Sequence, residues 1–217
     1  MWIKICGVRD LPAARVAAAA GADAVGLNFF AGSTRVVDRA TAAEIAGGLP
    51  ASVVPTGVFV NHAAGEIVET VRECGLRAVQ LHGDEPPEML ADLRGALPGI
   101  WIIRAWRLGR DGLDPLGRLL EELRLLGAEP DACLVDARVD GRYGGTGRTA
   151  PWDLLSGGWP AGWPRLILAG GLTPENVGAG IRTARPWGVD VAGGVEAAPG
   201  VKDAALLRRF VEAARTA

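Results

Sequence analysis

Short apolar runs alternate with longer amphipathic stretches along the whole chain, and this alternation limits the folds that the chain can adopt. The apolar runs are rich in Val, Ile and Leu and contain few polar residues, which is typical of parallel strands covered by helices. Hydrophobic residues make up 49% of the 217 residues, enough for a sheet that is buried on both faces. The pattern therefore predicts consecutive strand–helix units in an α/β fold.

Eight such units fit the chain and leave no residues for a second domain, so residues 1–217 are predicted to form one catalytic domain. The predicted strands are Trp2–Cys6, Ala24–Phe29, Val54–Val60, Ala78–Leu81, Ile100–Ala105, Ala132–Asp136, Arg165–Ala169 and Val189–Val191. The predicted helices are Leu11–Ala20, Thr41–Gly47, Ala63–Cys74, Pro86–Gly95, Pro115–Leu126, Pro151–Leu155, Pro174–Thr183 and Lys202–Ala214. Two of the helices begin with a capping side chain and an early proline, in Asp10-Leu11-Pro12 and Thr173-Pro174-Glu175.

Eight consecutive units can close into a (β/α)8 barrel, in which helices surround a ring of parallel strands. The alternative is an open doubly wound sheet, which would need a glycine fingerprint after its first strand. The first strand is followed instead by Cys6-Gly7-Val8-Arg9, which does not match. We therefore predict a single closed eight-stranded TIM barrel.

The composition excludes several classes of partner. The formal net charge is −2, so the chain has no basic excess for nucleic acid or anionic lipid. No apolar stretch approaches the roughly 20 residues of a membrane span, and the first residues are strand-like rather than a secretory signal. The three cysteines lack metal-ligand spacing and predict reduced thiols in a cytoplasmic protein. A monomer is expected.

Two glycine pairs mark the ends of the last two predicted strands. Gly170-Gly171 follows the seventh strand and Gly193-Gly194 follows the eighth. Backbone N–H groups of residues without a Cβ can approach phosphate oxygens directly, and barrels often bind phosphate at these two strands. A short helix start near Val195-Glu196-Ala197 would add its dipole. The alternative is that each pair is only a tight turn.

Cys6 lies at the C-terminal end of the first strand, with Lys4 two residues earlier on the same face. If both side chains point into the barrel, the Lys4 ammonium could lower the pKa of the Cys6 thiol and make it a usable base. The alternative is an inert core cysteine, which is the expectation for Cys74 and Cys133.

Three further polar side chains lie in or near strand ends. Asp136 ends the apolar sixth strand, where it is either a general acid or base or a cap for the next loop. Asp190 lies inside the eighth strand, where an unpaired carboxyl is costly, so it either contacts substrate or pairs with Lys4. Arg35 follows the second strand, and its guanidinium could bind a substrate carboxylate or could simply be solvated.

Two histidines and one long loop complete the candidates. We interpret His82 as a hydrogen-bonding residue at a strand end and His62 as a surface residue, because neither has partners at metal-ligand spacing. The loop from Ala137 to Ala150 is rich in glycine, and its length suggests a cover for an active site.

Several segments, in this order, carry a family resemblance over nearly the whole chain. They are Lys4-Ile5-Cys6-Gly7, Gly21–Gly26, Gly57–Asn61, Val79–Gly83, Leu134–Asp136, Tyr143–Thr149, Ala169–Val177, Val189–Val191 and Gly194–Glu196. The chain resembles the phosphoribosylanthranilate isomerase family of tryptophan biosynthesis. Members rearrange N-(5-phosphoribosyl)anthranilate, a phosphorylated aminosugar, to 1-(2-carboxyphenylamino)-1-deoxyribulose 5-phosphate.

The resemblance implies roles for the candidate residues. Cys6 would be the general base and Asp136 the general acid, and Arg35 would bind the anthranilate carboxylate. The phosphate site would consist of Gly170, Gly171 and the turn at Ala192, Gly193 and Gly194. No cofactor is implied, because the protonated imine of this Amadori rearrangement is itself the electron sink.

The chain departs from the family pattern in three places. The family usually has two serines where this chain has Ala192-Gly193, which removes hydroxyl contacts to phosphate but keeps the backbone N–H groups. It usually has a proline and a lysine at Ala31-Gly32, a change expected to affect substrate selectivity or affinity. Arg148 stands where the family often has lysine and keeps the charge.

Three alternative functions fit the same barrel. One is a histidine-pathway Amadori isomerase, or an enzyme with both activities. The histidine-pathway enzyme would have an acid in place of Cys6 and a second phosphate site, but no glycine pairs follow the third and fourth strands. A catalytically silent barrel could bind phosphorylated metabolites as a sensor or partner subunit. A Schiff-base aldolase would use Lys4, which lies two residues below the level expected for reacting groups.

Overall fold

A closed ring of eight parallel strands forms the centre of the molecule. The structure is a computed structural model that describes residues 1–109, 111–137 and 152–217. The strands follow chain order around the ring, and β8 pairs with β1 as well as with β7. Their bounds are β1 Trp2–Cys6, β2 Ala24–Asn28, β3 Val54–Phe59, β4 Ala78–Leu81, β5 Trp101–Leu108, β6 Ala132–Ala137, β7 Arg165–Leu168 and β8 Gly188–Val191. The predicted TIM barrel is confirmed.

Helices lie between the strands and cover the ring. Within the described residues they are α1 Leu11–Ala20, α2 Arg39–Gly47, α3 Ala64–Cys74, α4 Pro87–Ala96, α5 Asp114–Leu125, α6 Val177–Ala184 and α7 Ala204–Thr216. Asp10 caps α1 as predicted, because its carboxylate accepts a hydrogen bond of 2.7 Å from the N–H of Ala13. None of the described helices combines the length and apolar character needed to cross a bilayer.

Two predictions concern the part of the chain between β6 and β7. The glycine-rich loop proposed as a cover and Arg148 lie outside the described residues, except that Ala137 ends β6. The predicted sixth helix is a short 3-10 turn at Trp152–Leu155, and its predicted first residue, Pro151, also lies outside the described residues.

The helix predicted from Pro174 begins later than expected. It starts at Val177, because the preceding residues form a turn in which Asn176 Oδ1 accepts a 2.7 Å hydrogen bond from the N–H of Thr173. The Asn176 side chain is therefore occupied with the loop before the helix, and it makes no capping contact with α6.

The helix predicted from Lys202 is also displaced. Lys202 belongs to an antiparallel hairpin of β9 (Glu196–Ala198) and β10 (Val201–Lys202), and Asp203 then caps α7. The helix start predicted near Val195-Glu196-Ala197 is a 3-10 turn at Gly193–Val195 that leads into this hairpin.

Three tryptophans close the N-terminal end of the barrel. Trp2 begins β1, Trp101 begins β5 and Trp187 directly precedes β8, and their ring centroids lie 5.1–5.6 Å apart. They pack against the small apolar core inside the ring, formed by Ile103, Ala105, Ala132, Leu134, Ile167 and Ala169. This end of the barrel is therefore filled by aromatic surface, which leaves the opposite end for a site.

Removal of one of these rings should affect stability and not activity. We expect Trp101→Ala to lower the free energy of unfolding by about 2 kcal/mol, less than for a fully buried ring because Trp101 is partly exposed. Urea denaturation measures the loss, and kcat/KM of the folded variant should equal that of the wild type. A variant with normal stability but reduced turnover would contradict a purely structural role for this end of the barrel.

Candidate active site

One pocket at the C-terminal ends of the strands brings together all nine residues predicted for the site. They are Cys6, Arg35, Asp136, Gly170, Gly171, Asp190, Ala192, Gly193 and Gly194. Residues far apart in sequence meet here because the C-terminal ends of parallel strands share one edge of a closed sheet.

A buried ion pair joins the first and last strands below this pocket. Lys4 and Asp190 are direct partners in the β1–β8 register, and Lys4 Nζ donates a 2.8 Å hydrogen bond to Asp190 Oδ1. Burial alone would lower the pKa of Lys4, but the charges of Asp190 and Cys6 outweigh it and leave the pKa above its ordinary value. Asp190 thus combines pairing with Lys4 and a place in the pocket wall.

Cys6 lies two residues above Lys4 on the same face of β1, and Gly26 provides the space for both. A Cβ at Gly26 would lie 2.9 Å from Cys6 Sγ and 3.0 Å from Lys4 Nζ. Burial raises the pKa of the Cys6 thiol; the ammonium groups of Lys4 and Lys202 lower it, but the net shift is upward. Lys4 therefore lowers the pKa of this thiol as predicted, but burial outweighs its effect and the thiol is not made acidic overall.

Asp136 and His82 lie side by side in the opposite part of the pocket. Asp136 is buried at the end of β6, and its Oδ2 is 3.7 Å from Nε2 of His82. The His82 ring is held by Gln80, whose Nε2 lies 2.7 Å from His82 Nδ1. Sequence reasoning placed His82 at a strand end but did not place it beside Asp136, because that proximity depends on the curvature of the ring.

His62 is not the surface residue that the sequence suggested. Its side chain is 16% exposed, and its ring packs edge-on against Phe59 with centroids 5.5 Å apart. Across residues 1–109, 111–137 and 152–217, no group of three or more metal-ligating side chains is placed to hold an ion.

The two glycine turns lie against each other at the rim. Gly170 and Gly171 both have positive φ, at 83° and 66°, which a residue with a Cβ rarely adopts. A Cβ on Gly194 would overlap the carbonyl group of Leu172, so the turn after β8 fits directly against the turn after β7. This contact brings both sets of backbone N–H groups to one side of the pocket.

Arg35 reaches the pocket across Gly7, and its guanidinium is already paired. Gly7 has a φ of +74°, and a Cβ there would overlap the aliphatic part of the Arg35 side chain. Arg35 Nε and Nη2 donate 2.7 Å hydrogen bonds to the two carboxylate oxygens of Glu196. The Arg35 guanidinium is therefore held by a protein carboxylate and is not simply solvated.

Glu196 and Lys202 are site residues that sequence reasoning missed. Lys202 Nζ donates to Glu196 Oε1 at 2.8 Å, to the carbonyl of Cys6 at 2.6 Å and to the carbonyl of Ala192 at 3.0 Å. The available signal was Pro199-Gly200, a turn dipeptide between two short extended segments. Recognising that turn would have removed Lys202 from the predicted helix.

The charges of Arg35, Glu196 and Lys202 stabilise one another. Burial alone would raise the pKa of Glu196, but hydrogen bonds from Arg35 and Lys202 outweigh it and hold the pKa below its ordinary value. Burial lowers the pKa of Lys202, and Glu196 opposes that shift only in part. The carboxylate is therefore the ionised centre that both cations share.

Comparison with known proteins links this site to one enzyme family. The family model of N-(5'phosphoribosyl)anthranilate (PRA) isomerase matches residues 3–213. The N-(5'-phosphoribosyl)anthranilate isomerase of Myxococcus xanthus (strain DK1622) is 44% identical over 214 residues, covering 99% of this chain and 96% of that relative. The enzyme of the same name from Geobacter sulfurreducens (strain ATCC 51573 / DSM 12127 / PCA) is 42% identical over 214 residues, covering 98% of each chain.

Solved structures, among them the following two, are also similar over the full length of the chain. Phosphoribosyl anthranilate isomerase from Thermotoga maritima superimposes with a TM-score of 0.86 at 34% identity, covering 100% of both chains. A phosphoribosyl anthranilate isomerase in complex with reduced 1-(o-carboxyphenylamino)-1-deoxyribulose 5-phosphate gives a TM-score of 0.84 at 32% identity, again covering 100% of both chains.

The raised pKa of Cys6 can be tested by alkylation. Because the pKa lies above the ordinary value, we expect iodoacetamide to modify Cys6 more slowly at neutral pH than a free peptide thiol. The rate should rise about tenfold per pH unit without a plateau below about pH 8. Mass spectrometry assigns the modified residue; Cys74 and Cys133 should stay unmodified because both are buried, and burial raises the pKa of Cys133 to about 12. Rapid modification at neutral pH would contradict the assigned environment.

The contact between the two glycine turns predicts a binding defect. We expect Gly194→Ala to weaken binding of inorganic phosphate about tenfold or more, because the added methyl group must separate the turns. Isothermal titration calorimetry measures the affinity. Gly47→Ala is the matched control, since nothing lies within 4 Å of a Cβ at that helical position. Equal phosphate affinity in the two variants would show that the turns do not form an anion site.

Proposed function

Because the chain belongs to the N-(5'-phosphoribosyl)anthranilate isomerase family, we propose that Cys6 is the general base and Asp136 the general acid of its reaction. The chain is an isomerase that converts N-(5'-phosphoribosyl)anthranilate to 1-(2-carboxyphenylamino)-1-deoxyribulose 5-phosphate by an Amadori rearrangement, a step of tryptophan biosynthesis. The proposal is supported above all by the position of the Cys6 thiol and the Asp136 carboxyl in the walls of one pocket.

The two groups would act in sequence on the sugar. Asp136 protonates the furanose ring oxygen, and the ring opens to a protonated Schiff base. Cys6, as thiolate, then removes the proton from C2′ and gives an enolamine, which tautomerises to the 1-amino-1-deoxyketose. The electron pair released at C2′ moves to the iminium nitrogen, so the substrate itself supplies the electron sink.

The substrate would be held at its two charged ends. The phosphate binds to backbone N–H groups of the turns at Gly170-Gly171 and Ala192 to Gly194, without the serine hydroxyl groups usual in the family. Arg35 binds the anthranilate carboxylate at the other end of the substrate. Two fixed ends position the sugar between acid and base, which is itself a large contribution to rate. Asp190, in the wall between them, would contact the sugar.

The environment of Lys4 argues against a Schiff-base aldolase. An amine must be unprotonated to attack a carbonyl, whereas the pKa of Lys4 lies above its ordinary value in its pair with Asp190. Its side chain is fully buried beneath Cys6. Lys4 therefore supports the site as a cation.

Conservative substitutions test the catalytic assignment. We expect Cys6→Ser and Asp136→Asn each to lower kcat about 100-fold or more, because general acid and general base steps have effects of that order. Product fluorescence followed over time measures turnover, and the histidine-pathway Amadori substrate is assayed alongside.

Two controls match these variants. Cys74→Ser removes a thiol but keeps a donor for the carbonyl of Arg39, and Asp203→Asn keeps a good cap for α7. Both should retain wild-type kcat. Undiminished turnover in Cys6→Ser or Asp136→Asn would overturn the role of that residue.

Three expectations from the sequence stay predictions. They are the operation of residues 1–217 as one catalytic domain, the monomeric state and the cytoplasmic location. Sedimentation of the purified protein tests the second of them directly.

A further inference from the structure

Glu196 lies between two cations at the mouth of the barrel. Its Oε1 accepts hydrogen bonds from Arg35 Nε at 2.7 Å and Lys202 Nζ at 2.8 Å, and its Oε2 accepts one from Arg35 Nη2 at 2.7 Å. The Glu196 side chain is 4% exposed, so solvent competes little for these contacts. A carboxylate that contacts a guanidinium at two points fixes the orientation of the guanidinium plane.

Lys202 fixes Glu196 relative to the rest of the site. Its ammonium also donates to the carbonyl groups of Cys6 and Ala192, and its side chain is 1% exposed. These carbonyl groups belong to the strand that carries the proposed base and to the turn proposed for phosphate. The position of Arg35 is therefore set by two neighbouring elements, the end of β1 and the turn after β8.

The charge balance leaves Arg35 able to attract an anion. A carboxylate paired with Arg35 alone would cancel its charge and weaken its attraction for a ligand. Lys202 adds a second positive charge, so the three side chains together carry one net positive charge. The contact with Glu196 uses Nε and Nη2, which leaves the Nη1–Nη2 edge of the guanidinium for another acceptor.

We propose that Glu196 is a positioning residue for substrate recognition, which holds Arg35 so that its open edge meets the carboxylate of the anthranilate ring. This proposal rests on the function proposed above for Arg35. Lys202 compensates the negative charge of Glu196, so that Arg35 can still attract the substrate carboxylate.

Two ligands that differ by one carboxyl group isolate this role. The first is reduced 1-(o-carboxyphenylamino)-1-deoxyribulose 5-phosphate, and the second is the same molecule with an unsubstituted phenyl ring. We expect Glu196→Gln to weaken binding of the first about tenfold and of the second less than about twofold. In steady-state kinetics, KM should rise about tenfold with kcat almost unchanged, because this contact is made in ground and transition states alike.

A different pattern would overturn the role of Glu196. An equal loss of affinity for both ligands would mean that Glu196 only supports the structure of the turns and does not position Arg35. Unchanged or tighter binding of the carboxylated ligand would mean that Glu196 competes with the substrate for Arg35.

Arg35→Met separates failure of this inference from failure of the proposed function. This variant should lose the preference for the carboxylated ligand. If Arg35→Met keeps that preference, the role of Arg35 is wrong and the inference falls with it. If Arg35→Met loses the preference and Glu196→Gln keeps it, only the role of Glu196 is wrong.

Further variants guard against a folding defect and a nonspecific charge effect. Glu196→Asp keeps the charge but shortens the side chain, so it should lose the same ligand preference while retaining a native circular dichroism spectrum. Glu175→Gln removes an exposed carboxylate whose partner is Arg209, 2.6 Å away. It should leave both affinities unchanged, and a loss equal to that of Glu196→Gln would refute a specific effect.

Discussion

The buried ion pair between Lys4 and Asp190 joins the first and last strands of the ring directly beneath Cys6. Its partners lie on β1 and β8, which are neighbours in space although they are the first and last strands of the ring in sequence. A buried charge that loses its partner typically costs about 3–5 kcal/mol, so the two strands are held in one register. That register places Cys6 above the pair and the turn at Ala192 beside it. The relative position of the proposed base and the proposed phosphate site thus depends on this register.

Opposite charges alternate around Cys6. Asp190 counters Lys4, and Glu196 counters Lys202 and Arg35, so no buried charge in this group is left alone. Burial nevertheless dominates at the thiol and keeps its pKa above the ordinary value. A thiol of this kind is a weak nucleophile before substrate arrives and a strong base once ionised. This combination suits the proton abstraction proposed for Cys6.

Much of the fold and of the candidate site could be predicted from the sequence, because the candidate site residues lie at the ends of apolar strands. Cys6, Asp136 and the glycine pairs each follow an apolar run, and parallel strands bring such ends together. The hairpin with Glu196 and Lys202 could not be predicted in the same way, since strands of two or three residues have no readable period. The pairing of Arg35 depends on that hairpin. The sign of the Cys6 pKa shift depends on burial, which only the packed structure defines.

The stacked indoles of Trp2 and Trp187 have an optical consequence. Their centroids lie 5.1 Å apart with planes inclined by 26°, close enough for their excited states to couple. Trp2 lies on β1 and Trp187 directly precedes β8, so the pairing of these two strands brings the indoles together. The protein thereby carries its own chromophore pair for the closure of the ring, which a spectrometer can follow without any added label.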